Sequence, residues 1–161
     1  MGIFSNIEKA RASFDANYVR PGRYAVRIDR IKKGETRKKE TFVAIEMTVF
    51  KTIEEENGRG HRPGENVTHL LMEKHDSFLP NIKSMIVNIA KCDPDEITEK
   101  HCESVVGDEQ LFAGEFVEIC ARNQITKKNL TFTKVSYLRR LDEKEVKDLL
   151  NNESLTSNSE D

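Results

Sequence analysis

The feature that most constrains the fold is a change in the spacing of apolar residues along the chain. From Tyr24 onward, apolar and polar side chains alternate, which is typical of half-buried β-strands. The segments predicted as strands are residues 24–29, 41–50, 66–72, 115–122 and 131–139. Between the third and fourth strands the spacing becomes helical over residues 78–90 and 94–103, with Ser77 as the predicted cap of the first helix.

Five strands with a helix between the third and the fourth is the element order of the OB-fold, a small Greek-key barrel. The sequence therefore predicts a mainly β (α+β) protein: a five-stranded OB-fold-like Greek-key barrel with a helical insertion between strands 3 and 4 and short terminal helices. The alternative is an open five-stranded α+β sheet with helices on one face. The length of the insertion, which exceeds what a minimal barrel needs, favours that alternative.

The chain divides into three parts. Residues 1–20 are predicted to form an N-terminal amphipathic helix, because Ile3, Phe4, Ile7 and Phe14 recur at helical spacing. Residues 21–141 form the OB-like domain. Residues 142–161 are predicted as a short helix capped by Asp142, followed beyond Asn151 by a disordered acidic tail.

Several classes of protein are disfavoured by composition. No run of eighteen apolar residues and no secretory signal is present, and the three cysteines are widely spaced, so we expect a cytoplasmic protein without a disulfide framework. The His and Cys residues lack zinc-site spacing, and no phosphate-binding loop or nucleophile elbow occurs. The sequence therefore predicts no metal, no cofactor and no enzymatic activity.

Charge is distributed in blocks that the formal net charge of −2 conceals. Residues 20–39 carry a net charge of +7, and residues 122–140 carry +6. Residues 93–109 carry −6, and residues 142–161 carry −5. Two basic and two acidic blocks indicate a site for a polyanion together with an acidic tail.

The basic blocks are centred on two predicted loops. OB-folds bind oligonucleotides on the face of strands 2 and 3, between the loops that join strands 1–2 and 4–5. Here these loops are KKGETRKKE (32–40) and NQITKKNL (123–130). Because both loops are basic on an otherwise acidic chain, the sequence predicts nucleic-acid binding.

Such a surface needs cations for the phosphates and flat rings for stacking on unpaired bases. The candidate cations are Arg27, Arg30, Lys32, Lys33, Arg37, Lys38, Lys39, Lys127, Lys128 and Lys134. The candidate rings are Phe42, Phe50, Phe132 and Tyr137, whereas Tyr24 and Phe116 are assigned to the core. No predicted helix concentrates Arg and Lys for a major groove, which favours single-stranded over duplex nucleic acid.

The element order, the opening GRYAVRIDRIKKG (22–34), the basic hairpin ITKKNLTFTKV (125–135) and the acidic tail resemble small phage-encoded single-stranded DNA-binding proteins of the OB-fold type. The resemblance implies a protein that coats unwound DNA without strong sequence preference in replication, recombination or repair. It also implies that the tail recruits replication or recombination proteins. Tails of this class often end in an aromatic residue, whereas this chain ends in Ser159-Glu160-Asp161. The pattern does not distinguish DNA from RNA, and it leaves open whether the protein is a homo-oligomer.

A second hypothesis comes from a different functional class. The chain is then a non-enzymatic interaction or virion-accessory protein that docks partners through its N-terminal helix and its acidic tail. In that case the basic loops are incidental.

Overall fold

The computed structural model describes the backbone of residues 17–158 and the side chains of residues 17–151. The strands are β1 (Gly22–Glu35), β2 (Thr41–Glu55), β3 (Asn66–Met72), β4 (Phe116–Ile125) and β5 (Thr131–Arg140). The helices are α1 (Phe78–Ala90), α2 (Glu99–Val106) and α3 (Glu143–Asn158), with a 3₁₀ turn at Pro94–Glu96. The N-terminal helix predicted for residues 1–20 lies outside the described residues up to position 16, and residues 17–20 are not helical.

The strands form one antiparallel sheet in the order β3-β2-β1-β4-β5. Strand β1 is central: it pairs with β2 along its whole length, and residues Gly22–Arg27 also pair with β4. Alternate residues of each strand are buried, as the period of two predicts. In β2, for example, Val43, Ile45, Met47 and Val49 all point into the core.

Three strands are longer than the apolar pattern indicates. β1 continues to Glu35, β2 to Glu55 and β4 to Ile125, whereas β3 has the predicted bounds. In β1 the backbone ladder runs on beyond the last core residue, Ile31, to Glu35, which pairs with Thr41. Alternation of apolar side chains reports burial of one face, so it cannot detect a strand that is solvated on both faces.

The mainly β class with five antiparallel strands is confirmed, but the sheet is open between β3 and β5. In residues 17–158 no backbone pairing joins these two strands; they meet through the His69 Nδ1 and Tyr137 hydroxyl atoms, 2.9 Å apart. Helix α1 packs beside β5 and contributes Ile82, Met85, Ile86 and Ile89 to the core. The closed barrel predicted from the sequence is therefore not confirmed.

The helix ends correct two predictions. Ser77 precedes α1 but already has helical dihedral angles, so its hydroxyl makes no capping hydrogen bond. Pro94 begins a 3₁₀ turn and not the second helix, which starts five residues later. There Thr98 and His101 form a capping box, with each side chain accepting from the other residue's backbone N–H.

The C-terminal helix is longer than predicted. Asp142 caps it by accepting a hydrogen bond from the backbone N–H of Glu145, as expected. Its backbone remains helical to Asn158, although the sequence predicts disorder beyond Asn151, and residues 159–161 lie outside the described part. Of the described helices, none combines the length and the hydropathy needed to cross a membrane.

Candidate nucleic-acid interface

The side of the sheet that faces away from the core is called the outer face here. It is formed by the residues of each strand that alternate with the buried ones. On β2 these are Phe42, Ala44, Glu46, Thr48 and Phe50, as the sequence predicts. The predicted cations Arg27, Arg30 and Lys32 of β1 lie beside them, because the ladder pairs them with Thr48, Glu46 and Ala44.

The centre of the outer face is an aromatic pair under a cation. The rings of Phe50 and Phe116 meet edge to face with centroids 5.0 Å apart, and the Arg27 guanidinium lies 5.2 Å from the Phe50 centroid. Both Phe rings are half-buried. This geometry presents a partly accessible π surface with a positive charge beside it, which suits stacking of an unpaired base.

The assignment of Phe116 to the core is wrong. Val117, Ile119 and Ala121 of β4 are buried, so Phe116, Glu118 and Cys120 belong to the outer face. The alternation in EFVEICAR carries this information, and it also shows that Cys120 points outward. Size and hydrophobicity alone gave the wrong location for Phe116.

A polar network fixes Arg27 over the ring. Asp29 accepts a 2.8 Å hydrogen bond from Arg27 Nε through Oδ1 and a 2.5 Å hydrogen bond from the Thr48 hydroxyl through Oδ2. Ordinary strand alternation places Asp29 on the same side as Arg27, and the irregular register between Ile28 and Arg30 is a β-bulge that leaves exposed Arg30 on this side as well. Asp29 also neutralises part of the charge of Arg27. The main effect of Asp29 is therefore to orient the Arg27 guanidinium beside the Phe50 ring.

The second ring of β2 lies near the β1–β2 turn. Phe42 is half-buried and rests against Gly34, where a Cβ atom would stand only 2.6 Å from the ring Cζ. Glycine at position 34 therefore leaves the space that the ring occupies. Between the two rings, Lys32 forms a 2.8 Å ion pair with Glu46, so the middle of the outer face is close to neutral.

Unpaired cations are concentrated in the β1–β2 turn. Arg37, Lys38 and Lys39 are exposed, and within the described part of the chain they form no ion pair. The one acid of this turn, Glu40, is engaged by Lys74 at 3.3 Å. The turn is closed by hydrogen bonds between Thr36 and Glu40, with Lys39 in the left-handed region at φ 61°. It therefore presents three positive charges to solvent.

The β4–β5 hairpin projects beyond the sheet. Pairing of β1 with β4 ends at Gly22 and Ala121, so residues 122–134 form a two-stranded ribbon with Lys127, Lys128 and Lys134 exposed. Phe132 is 45% exposed, as expected for a stacking candidate. Ile125 and Leu130, which lie in the predicted loop 123–130, are 74% and 63% exposed.

The two cationic turns lie at opposite ends of the outer face. Glu35 and Thr41 pair at one end of β1, whereas Gly22 pairs with Ala121 at the other, with the β4–β5 turn beyond it. The rings of Phe42 and Phe50 lie between these ends. The turns therefore flank the outer face and do not meet each other.

Two predicted site residues lie elsewhere. Lys33 pairs with buried Val43 and lines a groove of about 250 Å³ against α2, with Glu99 and Glu103 opposite it. Tyr137 is 5% exposed, and burial raises the pKa of its hydroxyl, which is bonded to His69. Lys33 and Tyr137 both occupy strand positions on the core side of the sheet, so neither contributes to the outer face.

Helix α3 covers the end of the outer face next to β4. Arg139 of β5 holds it through a bidentate pair with Glu145 at 2.6 and 2.7 Å, which lowers the pKa of the Glu145 carboxyl to about 2. Buried Glu118 lies beneath this pair and accepts from Arg23 Nη2 at 2.5 Å, while Arg139 approaches it to 3.5 Å. The acidic C-terminal helix is therefore a neighbour of the aromatic pair.

No group of three or more His, Cys, Asp or Glu side chains suited to a metal ion occurs among the described residues. No model of a known protein family matches the chain, and comparison with curated proteins also gives no match. The functional argument therefore rests on the geometry of the outer face and its two flanking turns.

Proposed function

We propose that this protein binds single-stranded DNA and coats unwound DNA without strong sequence preference, in the replication, recombination or repair of a phage genome. The observation that carries the proposal is the arrangement of the outer face. Exposed cations occupy both of its ends, and partly accessible aromatic rings lie between them. This is the combination of charge and stacking surface that binding to a single strand requires.

We infer further that the sheet is a partly open variant of the OB-fold. The strand order β3-β2-β1-β4-β5 gives a central β1 with β2 and β4 as its neighbours, and β3 and β5 as the two strands that closure would join. OB-folds are themselves partly open barrels, and their oligonucleotide sites lie on strands 2 and 3. The side-chain contact between His69 and Tyr137 supports this inference because it spans the remaining gap.

Each part of the outer face has a distinct role in the proposed mechanism. Lys38, Lys39, Lys127 and Lys128 neutralise phosphates at the two ends, where no acid pairs with them in the described part of the chain. Bases stack on Phe50, beside the Arg27 guanidinium, and on Phe42 and Phe132. Stacking accepts any base, so weak sequence preference follows.

The acidic C-terminal segment has a proposed role of its own. Helix α3 already lies beside the aromatic pair, and residues 152–161 add Glu153, Glu160 and Asp161 without any base. An acidic segment next to a cationic surface competes with phosphate for the same charges. We propose that it weakens binding of unspecific polyanions and recruits replication or recombination proteins.

The test is fluorescence anisotropy with a labelled oligo-dT of about thirty nucleotides and a duplex of equal length. We expect binding to the single strand alone. If about five phosphates are neutralised, affinity falls roughly a hundredfold between about 50 and 200 mM salt. Equal binding to the duplex, or none to either, would contradict the proposal.

A quadruple variant locates the site. Replacing Lys38, Lys39, Lys127 and Lys128 with Ala should weaken binding strongly and flatten the salt dependence, because fewer phosphates are then neutralised; all four side chains are exposed. The matched control replaces four exposed cations away from the two turns: Lys83 on α1, Lys100 on α2, Lys144 on α3 and Arg59 in the β2–β3 loop. An equal loss in the control would show that total charge, and not the two turns, governs binding.

A further inference from the structure

One edge of β5 is open over part of its length. Asn88 on α1 donates a 2.7 Å hydrogen bond to the Tyr137 carbonyl, so the backbone groups of Tyr137 point away from β4. Alternate residues of a strand direct their N–H and C=O groups to the same side, and the register from Thr133 to Tyr137 is regular. Thr133 and Val135 therefore direct one donor and one acceptor each to this edge, which no strand within residues 17–158 pairs with.

The part of β5 from Lys134 to Leu138 forms one wall of a groove of about 220 Å³, with Thr133 next along the strand, and α1 forms the other wall. Helix α1 contributes the polar side chains of Asn81, Ser84 and Asn88, with Met85 as an apolar floor, and β5 contributes Ser136. A strand edge beside a helix is a geometry in which an extended peptide can add to a sheet.

The charge in and beside the groove is positive. Lys134 is the charged residue among those that line it, and Lys83 is exposed on α1 next to the lining residue Ser84. No acid is among the lining residues, and residues 78–91 and 131–140 contain none. An occupant that carries negative charge is therefore favoured in the groove.

We propose that this groove binds an extended acidic segment of a partner protein, which adds to the sheet as a further strand beside β5. The alternating donors and acceptors of Thr133 and Val135 match a peptide backbone, whereas a phosphate would face the carbonyl oxygens as well as the amides. The groove offers no free ring for a base, since Tyr137 is buried and bonded to His69. This surface is distinct from the outer face and does not depend on DNA binding there.

The experiment uses the full-length protein and a fluorescent peptide of about six residues in which Glu and Thr alternate. We expect saturable binding of this peptide by anisotropy. The same peptide N-methylated at alternate residues, which keeps its charge but cannot pair with an edge, should not bind. Equal binding of the methylated peptide would show that the peptide binds only through nonspecific charge attraction, and it would overturn the proposal.

Thr133→Pro tests the edge directly. It removes the donor at position 133 and leaves the ladder to β4 intact, because that N–H points outward. Thr133→Val is the matched control, since both variants lose the 2.8 Å hydrogen bond from the Thr133 hydroxyl to Asn123 but only proline loses the donor. We expect the peptide affinity to fall at least about tenfold in the proline variant and to stay unchanged in the valine variant.

Two further measurements keep the proposal falsifiable. Ser84 is exposed on α1, so Ser84→Glu adds a negative charge to the groove without a folding penalty, and it should weaken the acidic peptide while Ser84→Gln does not. Saturating oligo-dT should leave the peptide bound. Displacement of the peptide by oligo-dT would show that the groove binds nucleic acid. Unchanged peptide affinity in both Thr133→Pro and Ser84→Glu would show that the groove is not a binding site.

Discussion

Among single residues, Phe50 is the one on which the proposed stacking depends most, because it has both an aromatic neighbour and a cation beside it. Arg27 is held by Asp29, and Phe116 supports the ring from the side. The three groups are thus positioned before any ligand arrives. Because these side chains are already ordered, binding carries a smaller entropic cost for immobilising them.

Phe50→Ala is expected to weaken oligo-dT binding by about 1–3 kcal/mol, the usual contribution of one stacked base. Phe78→Ala, which also truncates a half-buried ring but at the start of α1, is the matched control. Anisotropy titrations of both variants at constant salt measure the difference. The same loss in both variants would mean that the Phe50 effect comes from a general loss of stability.

The pair of Arg23 with Glu118 makes a residue-scale prediction about folding. Glu118 is buried, so Arg23→Ala leaves its carboxylate with only the longer contact to Arg139, and we expect a lower free energy of unfolding in urea titrations. Adding Glu118→Gln to that variant should restore part of the loss. Arg122→Ala removes an exposed pair, 3.6 Å from Glu54, and should cost under about 1 kcal/mol.

Among the elements, the strands were predictable and their lengths were not. The alternation in TFVAIEMTVF assigns both faces of β2 correctly because burial of one face imposes a period of two. The extension of β4 through Arg122–Ile125 is invisible to that argument, since both faces of the ribbon are solvated. The sequence pattern therefore predicts residues 123–125 as loop and not as strand.

The candidate site was predictable to the same extent. The two basic turns and the rings of β2 lie where the pattern predicts them. Phe116, predicted in the core, lies on the outer face, and Tyr137, predicted as a stacking ring, is buried in the core. The position of Arg30 on the outer face, opposite Glu46, depends on a β-bulge. A bulge shifts the alternation by one residue, and no signal in the sequence marks its position.

The C-terminal element makes a testable prediction. A chain truncated after Asn151 lacks Glu153, Glu160 and Asp161, so oligo-dT should bind more tightly, and most clearly at low salt where charge competition is least screened. A full-length variant with these three acids changed to Gln or Asn separates charge from length. If truncation strengthens binding and the neutralised variant does not, the segment competes by occupying space.

On the scale of the whole molecule, stability should depend on the contact that joins β3 to β5. Burial lowers the pKa of His69 from its ordinary value of 6.5 to about 4. The unfolded chain therefore binds more protons than the folded one between these values, and stability is lost as the pH falls from 6.5 towards 4. Buried His61, whose pKa is also lowered by burial, contributes in the same direction.

His69→Gln is expected to reduce this acid sensitivity by about 1–3 kcal/mol over that interval, because glutamine does not titrate there. Urea titrations at pH 7.0 and at pH 4.5 measure it. His75→Gln, at an exposed position in the loop before α1, should retain the behaviour of the original chain. An unchanged acid sensitivity in His69→Gln would place the titrating group elsewhere.

The separation of the two cationic turns sets a minimum length for a polyanion that contacts both of them. They lie at opposite ends of a 14-residue strand, whose contour is roughly 45 Å. A linear polyanion that is shorter than the path between them can engage one turn or the other, but never both. Affinity plotted against the length of such a polymer should therefore show a threshold. The threshold length is the one that spans β1 and reaches the β4–β5 turn beyond its end.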